Sequence, residues 1–512
     1  MRVRASVRYG TGRRAARLEG KKGELNLISV NKNLAASVLR SSRFYGLLMA
    51  SGYAALALVH WRHSLAPLSG GYPFPDLGDS REANPFLEGC QTISLCWLYG
   101  LYLLTLINWE RRSFNVREII AMGVLPGLLA FGALPANSTD ILGYIGFGRI
   151  AGVHGANPYL HTYSEFADSF SPFVEWDITM PYGPALLPVF ILAGWVSEYS
   201  VLGAIFTLKL IWLATHCANC LLIYRILRSW GLDAAFGMFL YGLNPLALLE
   251  LVSNGHNDGL MIFFGLSSIH VLQWALQQRR PGGALWLALL SALVKLPGVF
   301  ILSSVAVYLL WRREWRGLSH GLLGGAALLL ILKAALFPTT ESMLSLANTG
   351  SYTQNSLHHL LVGAAQEIGR RFGMAMDYDT IYMADRRVFS TLFICFCLWQ
   401  WRRLSSLSGP RDLTRELAYI FLALLIGQAA WFFPWYVTWL LPFAALTDSA
   451  QLRWAIVVFS WTALALYAFP NFIVTEAPLH GLWAALRIAV AHIPPLVLLI
   501  RVIRVLFTHT PM

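Results

Sequence analysis

Residues able to do chemistry gather at three places along this chain. The first is the run Ser138-Thr139-Asp140-Ile141-Leu142-Gly143-Tyr144. Ser138 or Thr139 can cap a helix, which puts Asp140 in its first turn and Tyr144 one turn later on the same face. A carboxylate at a helix start just outside a membrane can act as a general base. It can equally do no more than offset the helix dipole. The segment continues through Arg149, His154-Gly155-Ala156-Asn157-Pro158-Tyr159 and Met180-Pro181-Tyr182-Gly183-Pro184. Proline, glycine and aromatic framing of this kind predicts a shaped loop, not a flexible linker.

The second place is Asn244-Pro245, Glu250 and Asn254-Gly255-His256-Asn257-Asp258. Tyrosine and cysteine aside, the ionisable residues between Asp233 and Arg279 are Glu250, His256, Asp258 and His270, and the first three fall at one turn. Such a turn is either a binding cluster or a satisfied polar cap where two helices meet. The third place is Lys295, a lone cation in an apolar stretch interrupted by Pro297. At headgroup depth it can neutralise a phosphate; it can also simply snorkel to the interface.

Elements that could position these groups must sit in lipid. The 512 residues are 56% hydrophobic and 13% charged, with a mean hydropathy of +0.54, where soluble chains carry about 25% charged residues. Stretches such as 322–332 and 417–430 hold almost no charge. Backbone groups in hydrocarbon must be satisfied internally, so the chain is expected to be an all-α polytopic integral membrane protein.

The net charge of +12 is concentrated at the start, where residues 1–43 hold eleven Lys and Arg against two Glu. This predicts a basic cytosolic tail attracted to anionic lipid. It lacks the aromatic interleaving that base stacking needs, so no nucleic acid is expected. The six cysteines lie in or beside apolar segments and read as small apolar side chains, not metal ligands.

Basic clusters mark cytosolic span ends. Apolar segments at 44–61, 90–109 and 118–136 then leave an extracytoplasmic loop at 137–184, with a second at 337–387 carrying His358 and His359. The stretch between Arg280 and Arg312 is too short for two full crossings, which predicts two half-length helices with Lys295 near their apex. Between 184 and 228 an odd number of crossings is required where two apolar segments stand, at 185–196 and 201–227. The total expected is about 13 spans, within about 11 to 15, in one transmembrane domain over 44–512 after the tail at 1–43.

In order along the chain stand Thr139-Asp140…Tyr144, Gly155…Asn157-Pro158-Tyr159, Pro181-Tyr182-Gly183-Pro184, Asn244-Pro245…Glu250, Gly255-His256-Asn257-Asp258, Lys295-Leu296-Pro297 and Pro434-Trp435-Tyr436…Trp439-Leu440-Leu441-Pro442. From about Ser138 to Pro442 the ordered set resembles the bacterial polyprenol-phosphate-mannose-dependent α-mannosyltransferases of the GT-C glycosyltransferase superfamily. The resemblance implies a GT-C fold with interfacial helices on long extracytoplasmic loops, in a bacterial plasma membrane. It implies inverting transfer of a sugar, mannose first of all, from a polyprenyl-phosphate donor to a glycan or glycolipid acceptor at the extracytoplasmic face. No divalent metal or other cofactor is expected beyond that lipid-linked co-substrate. Asp140 matches the catalytic base. Tyr144, Arg149, Asn157, Tyr182, His256, Asn257 and Asp258 are candidate binding residues, Lys295 matches a position near the lipid phosphate, and His358 or His359 lies where related enzymes place a donor-binding histidine.

Elementary chemistry points the same way. Nucleotide sugars are cytosolic, and no outer loop could hold a nucleotide-binding domain of about 100 residues, so a lipid must deliver the activated sugar. Prenyl phosphate leaves as a stable anion and needs no second carboxylic acid, unlike the leaving groups of glycosidases. Cations such as Lys295, Arg149 or His358 would offset the charge developing on it. Three other readings remain open: a transporter or flippase of lipid-linked sugars using Glu250, Asp258 and Lys295, a glycan polymerase or ligase, and a non-catalytic scaffold. The gathering of polar residues at loops, with no visible internal repeat, favours an enzyme over a transporter.

Overall fold

The computed structural model describes residues 41–70, 84–112, 114–175, 177–277, 282–347, 353–374, 377–406, 409–468 and 477–508. Most of the expected tail at 1–43 lies outside them. The regular structure of the described residues is helical, with one isolated bridge between Gln354 and Trp431 and no strand. This follows from the solvent, since only helices satisfy every backbone group of a single lipid-exposed segment internally.

The principal helices are α1 (Ser42–Gly70), α2 (Pro85–Ile107), α3 (Val116–Gly132), α4 (Asp140–Gly152), α5 (Leu187–Ser197), α6 (Val201–Ser229), α7 (Ala234–Gly242), α8 (Pro245–Ser253), α9 (Asp258–Gln277), α10 (Gly282–Val294), α11 (Gly298–Trp311), α12 (Trp315–Leu336), α13 (Leu357–Arg371), α14 (Tyr378–Arg403), α15 (Pro410–Ala423), α16 (Leu441–Leu446), α17 (Ala450–Thr462) and α18 (Ala477–Thr508). Among the described residues six helices are long and apolar enough to cross a membrane, or seven if α7 and α8, bent by 50° at Asn244-Pro245, count as one. The expected number was about 13. The difference lies in apolar helices cut short of a full crossing, α5, α10 and α11, and in charge-bearing ones such as α14, which holds Asp379, Asp385, Arg386 and Arg387.

The breaks in these helices make the site. Lys295 and Leu296 separate α10 from α11, whose first residue follows Pro297, and the two half-length helices expected around that lysine pack on each other. The 185–228 stretch is likewise two helices, short α5 and long α6. The short one leans on α4, with Phe190 stacked on Tyr144 at 4.9 Å between ring centroids, and does not extend the crossing. Helix α8 ends in a π-helical turn, Leu248–Ser253, a rare geometry that recurs at functional sites.

Candidate functional site

Four chain segments converge on Asp140: the start of α4, the 180–184 stretch, the α8–α9 turn and the α10–α11 break. Backbone between α3 and α4 is irregular, and buried side chains hold it. His60 Nδ1 lies 3.1 Å from Leu134 O, Ser64 donates to Pro135 O at 2.6 Å, and Asn254 Oδ1 accepts from the amides of Ala136 and Asn137 at 3.3 and 3.4 Å. Lys209 of α6 is fully buried and donates to Ala133 O and Ser253 O, both at 2.5 Å. It thus ties the segment leading to Asp140 to the one leading to His256.

The hydroxyl cap expected at α4 takes another form. Thr139 is the capping residue by backbone position, but its hydroxyl donates to Glu175 at 2.9 Å. Ser138 Oγ instead accepts from the Asp140 amide at 3.2 Å and donates to Asp140 Oδ1 at 2.8 Å. The other carboxylate oxygen, Oδ2, accepts from Tyr144 at 3.2 Å and from Tyr182 at 3.1 Å, and lies 3.6 Å from His256 Nδ1.

His256 sits between two carboxylates. Its Nε2 is 3.3 Å from Glu250 Oε2, and the indole of Trp435 stacks on its ring at 4.1 Å. The turn before it needs Gly255, whose φ of +80° lies in the left-handed region. Burial alone would lower the His256 pKa, but Asp140 and Glu250 outweigh it and raise it to about 9. Burial alone would raise Asp140, yet His256, Ser138 and Lys295 hold it below its usual value. At neutral pH the pair is therefore an imidazolium beside a carboxylate.

Lys295 occupies an aromatic cage. Its Nζ lies 5.8, 5.4 and 5.7 Å from the ring centroids of Tyr182, Tyr436 and Trp439, and donates to Asp258 Oδ1 at 2.7 Å. Trp439 Nε1 donates to the same oxygen at 2.6 Å. The 180–184 stretch reaches this cage by close approach: Gly183 N donates to Val294 O at 3.0 Å, and a Cβ on Gly183 would stand 1.9 Å from Leu293 O. Only glycine fits between the loop and the wedge.

Several buried polar atoms here have no hydrogen-bond partner: Asn257 Nδ2 and Oδ1, Asp258 Oδ2 and Glu250 Oε1. Unpaired buried polar groups are rare in folded proteins and mark ligand sites when they share a concavity. The side chains of Glu250, His256 and Asp258 are fully buried, whereas those of Asp140 and Lys295 are 9% and 14% exposed, so these are the two charged side chains of the cluster that solvent reaches.

Of the residues singled out from sequence, Asp140, Tyr144, Tyr182, His256, Asn257, Asp258 and Lys295 fall on the segments that converge here. Three others have different engagements. Arg149 does not stand free to meet a phosphate: its guanidinium binds both Asp168 oxygens at 2.8 Å, with Ser197 at 2.8 Å and Glu198 at 2.7 Å. Burial would raise the Asp168 pKa, but Arg149, the Phe170 amide and His154 hold it well below the carboxylate range. Asn157 closes a turn on the Tyr159 amide at 3.0 Å and donates to Leu336 O at 2.7 Å. His358 pairs with Asp385 at 2.5 Å and reaches Gly427 O at 3.0 Å, while His359 turns to Thr353. Sequence reasoning missed Lys209, which lies unmarked within an apolar helix. It read the aromatic run 434–442 only as a motif. That two aromatic rings of the run, Tyr436 and Trp439, face a lone lysine was the available signal. Among the described residues no three His, Cys, Asp or Glu side chains form a metal-ligand group.

Helices long and apolar enough to cross a bilayer, with an acid–base cluster where they break, define a polytopic membrane protein with a buried polar site. Residues 47–311, just over half of the chain and all of the cluster from Asp140 to Lys295, match the family described as alpha-(1->6)-mannopyranosyltransferase, N-terminal domain. The chain belongs to that family and is a membrane mannosyltransferase. It is 25% identical over 422 residues to alpha-(1->6)-mannopyranosyltransferase A of Mycobacterium tuberculosis, covering 74% of this chain and 78% of that protein. No solved structure matches it.

Proposed function

We propose that the protein transfers mannose from a polyprenyl-phosphate donor to a hydroxyl of a mannose-containing glycan or glycolipid, at the extracytoplasmic face and with inversion at the anomeric carbon. Asp140 is the general base. The acceptor oxygen attacks the anomeric carbon, its proton passes to the Asp140 carboxylate, and the bond from that carbon to the phosphate oxygen breaks on the opposite face. The prenyl phosphate departs with the electron pair, and Lys295 meets its charge. Protein groups carry each step, with no metal invoked.

The observation that carries this reading is the juxtaposition, across Tyr182, of the two solvent-reachable charged groups. Tyr182 donates to Asp140 and lays its ring beside Lys295. A base at the hydroxyl of one tyrosine and a cation beside its ring give a displacement both a proton acceptor and a partner for the leaving phosphate. The free atoms of Asn257 and Asp258 would take sugar hydroxyls. An apolar groove of about 440 Å³, lined by Leu296, Pro297, Phe300, Phe393 and Leu424 among others, opens one residue from Lys295 and suits the prenyl chain.

Alpha-1,6 linkage comes from the name of the relative and of the family. It is tested with purified protein in detergent, labelled polyprenyl-phosphate mannose and an α-1,6-linked mannose disaccharide carrying an octyl tail. Formation of a labelled trisaccharide with the new linkage supports the reading. Movement of label across a vesicle bilayer with no new glycosidic bond would point to a flippase.

A further inference from the structure

Glu250 is buried, anionic in type and unused by the mechanism above. It lies in the π-helical turn of α8, with no exposed surface, and one of its oxygens, Oε1, has no hydrogen-bond partner. Isolated carboxylates are costly to place at such depth. The other oxygen accepts from Asn254 Nδ2 at 3.0 Å and lies 3.3 Å from His256 Nε2. His256 in turn presents Nδ1 to Asp140 Oδ2 at 3.6 Å, its ring plane set by Trp435. One imidazole therefore joins the candidate base to a second carboxylate through its two different nitrogens.

We propose that Glu250 is a positioning residue for transfer, fixing the His256 ring between the two carboxylates so that Asp140 stays ionised and aimed at the acceptor hydroxyl. The proposal rests on Asp140 being the base. Glu250 has no exposed surface and acts through His256. With a carboxylate facing each nitrogen, both stay protonated, Nε2–H toward Glu250 and Nδ1–H toward Asp140. The imidazolium then offsets the Asp140 anion in the resting enzyme. It continues to do so while the acceptor proton arrives, because the second carboxylate balances it.

The π-helical turn serves this geometry. Its backbone places Glu250 and Asn254 on one side, so a single asparagine holds both the Glu250 oxygen and the Ala136–Asn137 backbone that leads to Asp140. Titratable groups turned toward the pair come from every neighbouring segment: Tyr144 of α4, Tyr182, Asp258 of α9, Lys295 and Tyr436. None of these stands at ion-pair distance from the imidazole, which among the described residues only Glu250 and Asp140 flank. That isolates the effect of Glu250 in a pH profile.

The test compares Glu250→Gln, His256→Gln and the double variant in the labelled-mannose assay across pH. E250Q keeps the shape and the bond from Asn254 while removing the charge. The expected result is a fall in kcat of about tenfold or more, with KM for polyprenyl-phosphate mannose within about twofold. The alkaline limb of the kcat profile should move down by about one pH unit, and the double variant should be no slower than H256Q. An unmoved limb with wild-type kcat, or losses that multiply in the double variant, overturns the proposal. If E250Q does not fold, H256Q decides: a wild-type alkaline limb in H256Q overturns the proposal, and its loss supports it. Asp140→Asn separates the two claims, because an inactive D140N beside a normal E250Q sinks only the role given to Glu250.

Discussion

The Tyr182 hydroxyl donates to Asp140 Oδ2 at 3.1 Å, a bond spanning 42 residues of sequence and closing the 137–184 segment over the start of α4. Tyr144 donates to the same oxygen at 3.2 Å from one helical turn away. Burial and nearby anionic groups hold both phenols above their usual pKa, so they stay donors across the working range. Two donors engage Oδ2 and leave Oδ1, which accepts from Ser138 at 2.8 Å, as the less engaged oxygen. Tyr182→Phe should lower kcat about tenfold, in line with about 1.5 kcal/mol for a hydrogen bond to a charged group. It should also loosen the Lys295 cage little, since the ring remains. Steady-state kinetics check this; an unchanged kcat would mean that Ser138 and Tyr144 suffice to aim the carboxylate.

The His256–Asp140 pair predicts a pH window. His256 has a folded pKa raised to about 9 from an ordinary 6.5, so its stabilising contribution is complete below about 6.5 and lost as pH rises through about 9. Asp140 is held below its usual value, so its contribution is present above about 4 and lost as pH falls through the lowered folded value. Melting temperature in detergent should therefore hold between about pH 4 and 6.5, fall as pH rises from there through about 9, and fall again below about pH 4. In His256→Gln the alkaline fall should shrink. A thermal-shift series across pH on both proteins reads this directly.

In the proposed transfer Lys295 serves the donor side. Lys295→Met should raise KM for the prenyl-phosphate donor and lower kcat by about a hundredfold, the scale for removing one preorganised charge from a developing anion. Part of the loss reflects Asp258 left without its cation. Lys295→Arg should recover part of the activity, because the guanidinium keeps the charge but fits the three-ring cage poorly. Equal activity in the methionine and arginine variants would remove the charge from the account.

Gly183 offers a test away from any charge. With a Cβ due to stand 1.9 Å from Leu293 O, Gly183→Ala must push the 180–184 stretch off the α10–α11 break. Tyr182 would then separate from Lys295. We expect kcat to fall at least about tenfold, as when reacting groups are displaced by about 1 Å, with the helical content by circular dichroism unchanged.

Some of this was legible in the sequence, for identifiable reasons. Lys295 and Pro297 announced a helix break, because a lone cation and a proline interrupt an apolar run in a way that hydropathy shows. Asp140 stood out as the carboxylate at the head of a Pro/Gly/aromatic segment. Lys209 did not, because one lysine within the long apolar α6 looks like a residue that snorkels, and its three carbonyl partners come from distant segments. Arg149 read as a free cation because its partner Asp168 lies beyond helical spacing on a loop with no regular period. The span count was read from hydropathy, which cannot distinguish a full crossing from a short helix such as α5 or α10 that ends at a break within the protein.

Everything depends on the Asp140 carboxylate accepting a proton from the acceptor. The most direct measurement is single-turnover transfer by Asp140→Asn, a replacement that keeps the contacts to Ser138, Tyr144 and Tyr182 within reach while removing the basic oxygen. Folding is checked by the same thermal shift as the parent protein. A loss of about a thousandfold or more in the transfer step, with donor binding retained, is what this account predicts. Transfer within a few-fold of the parent enzyme would contradict it.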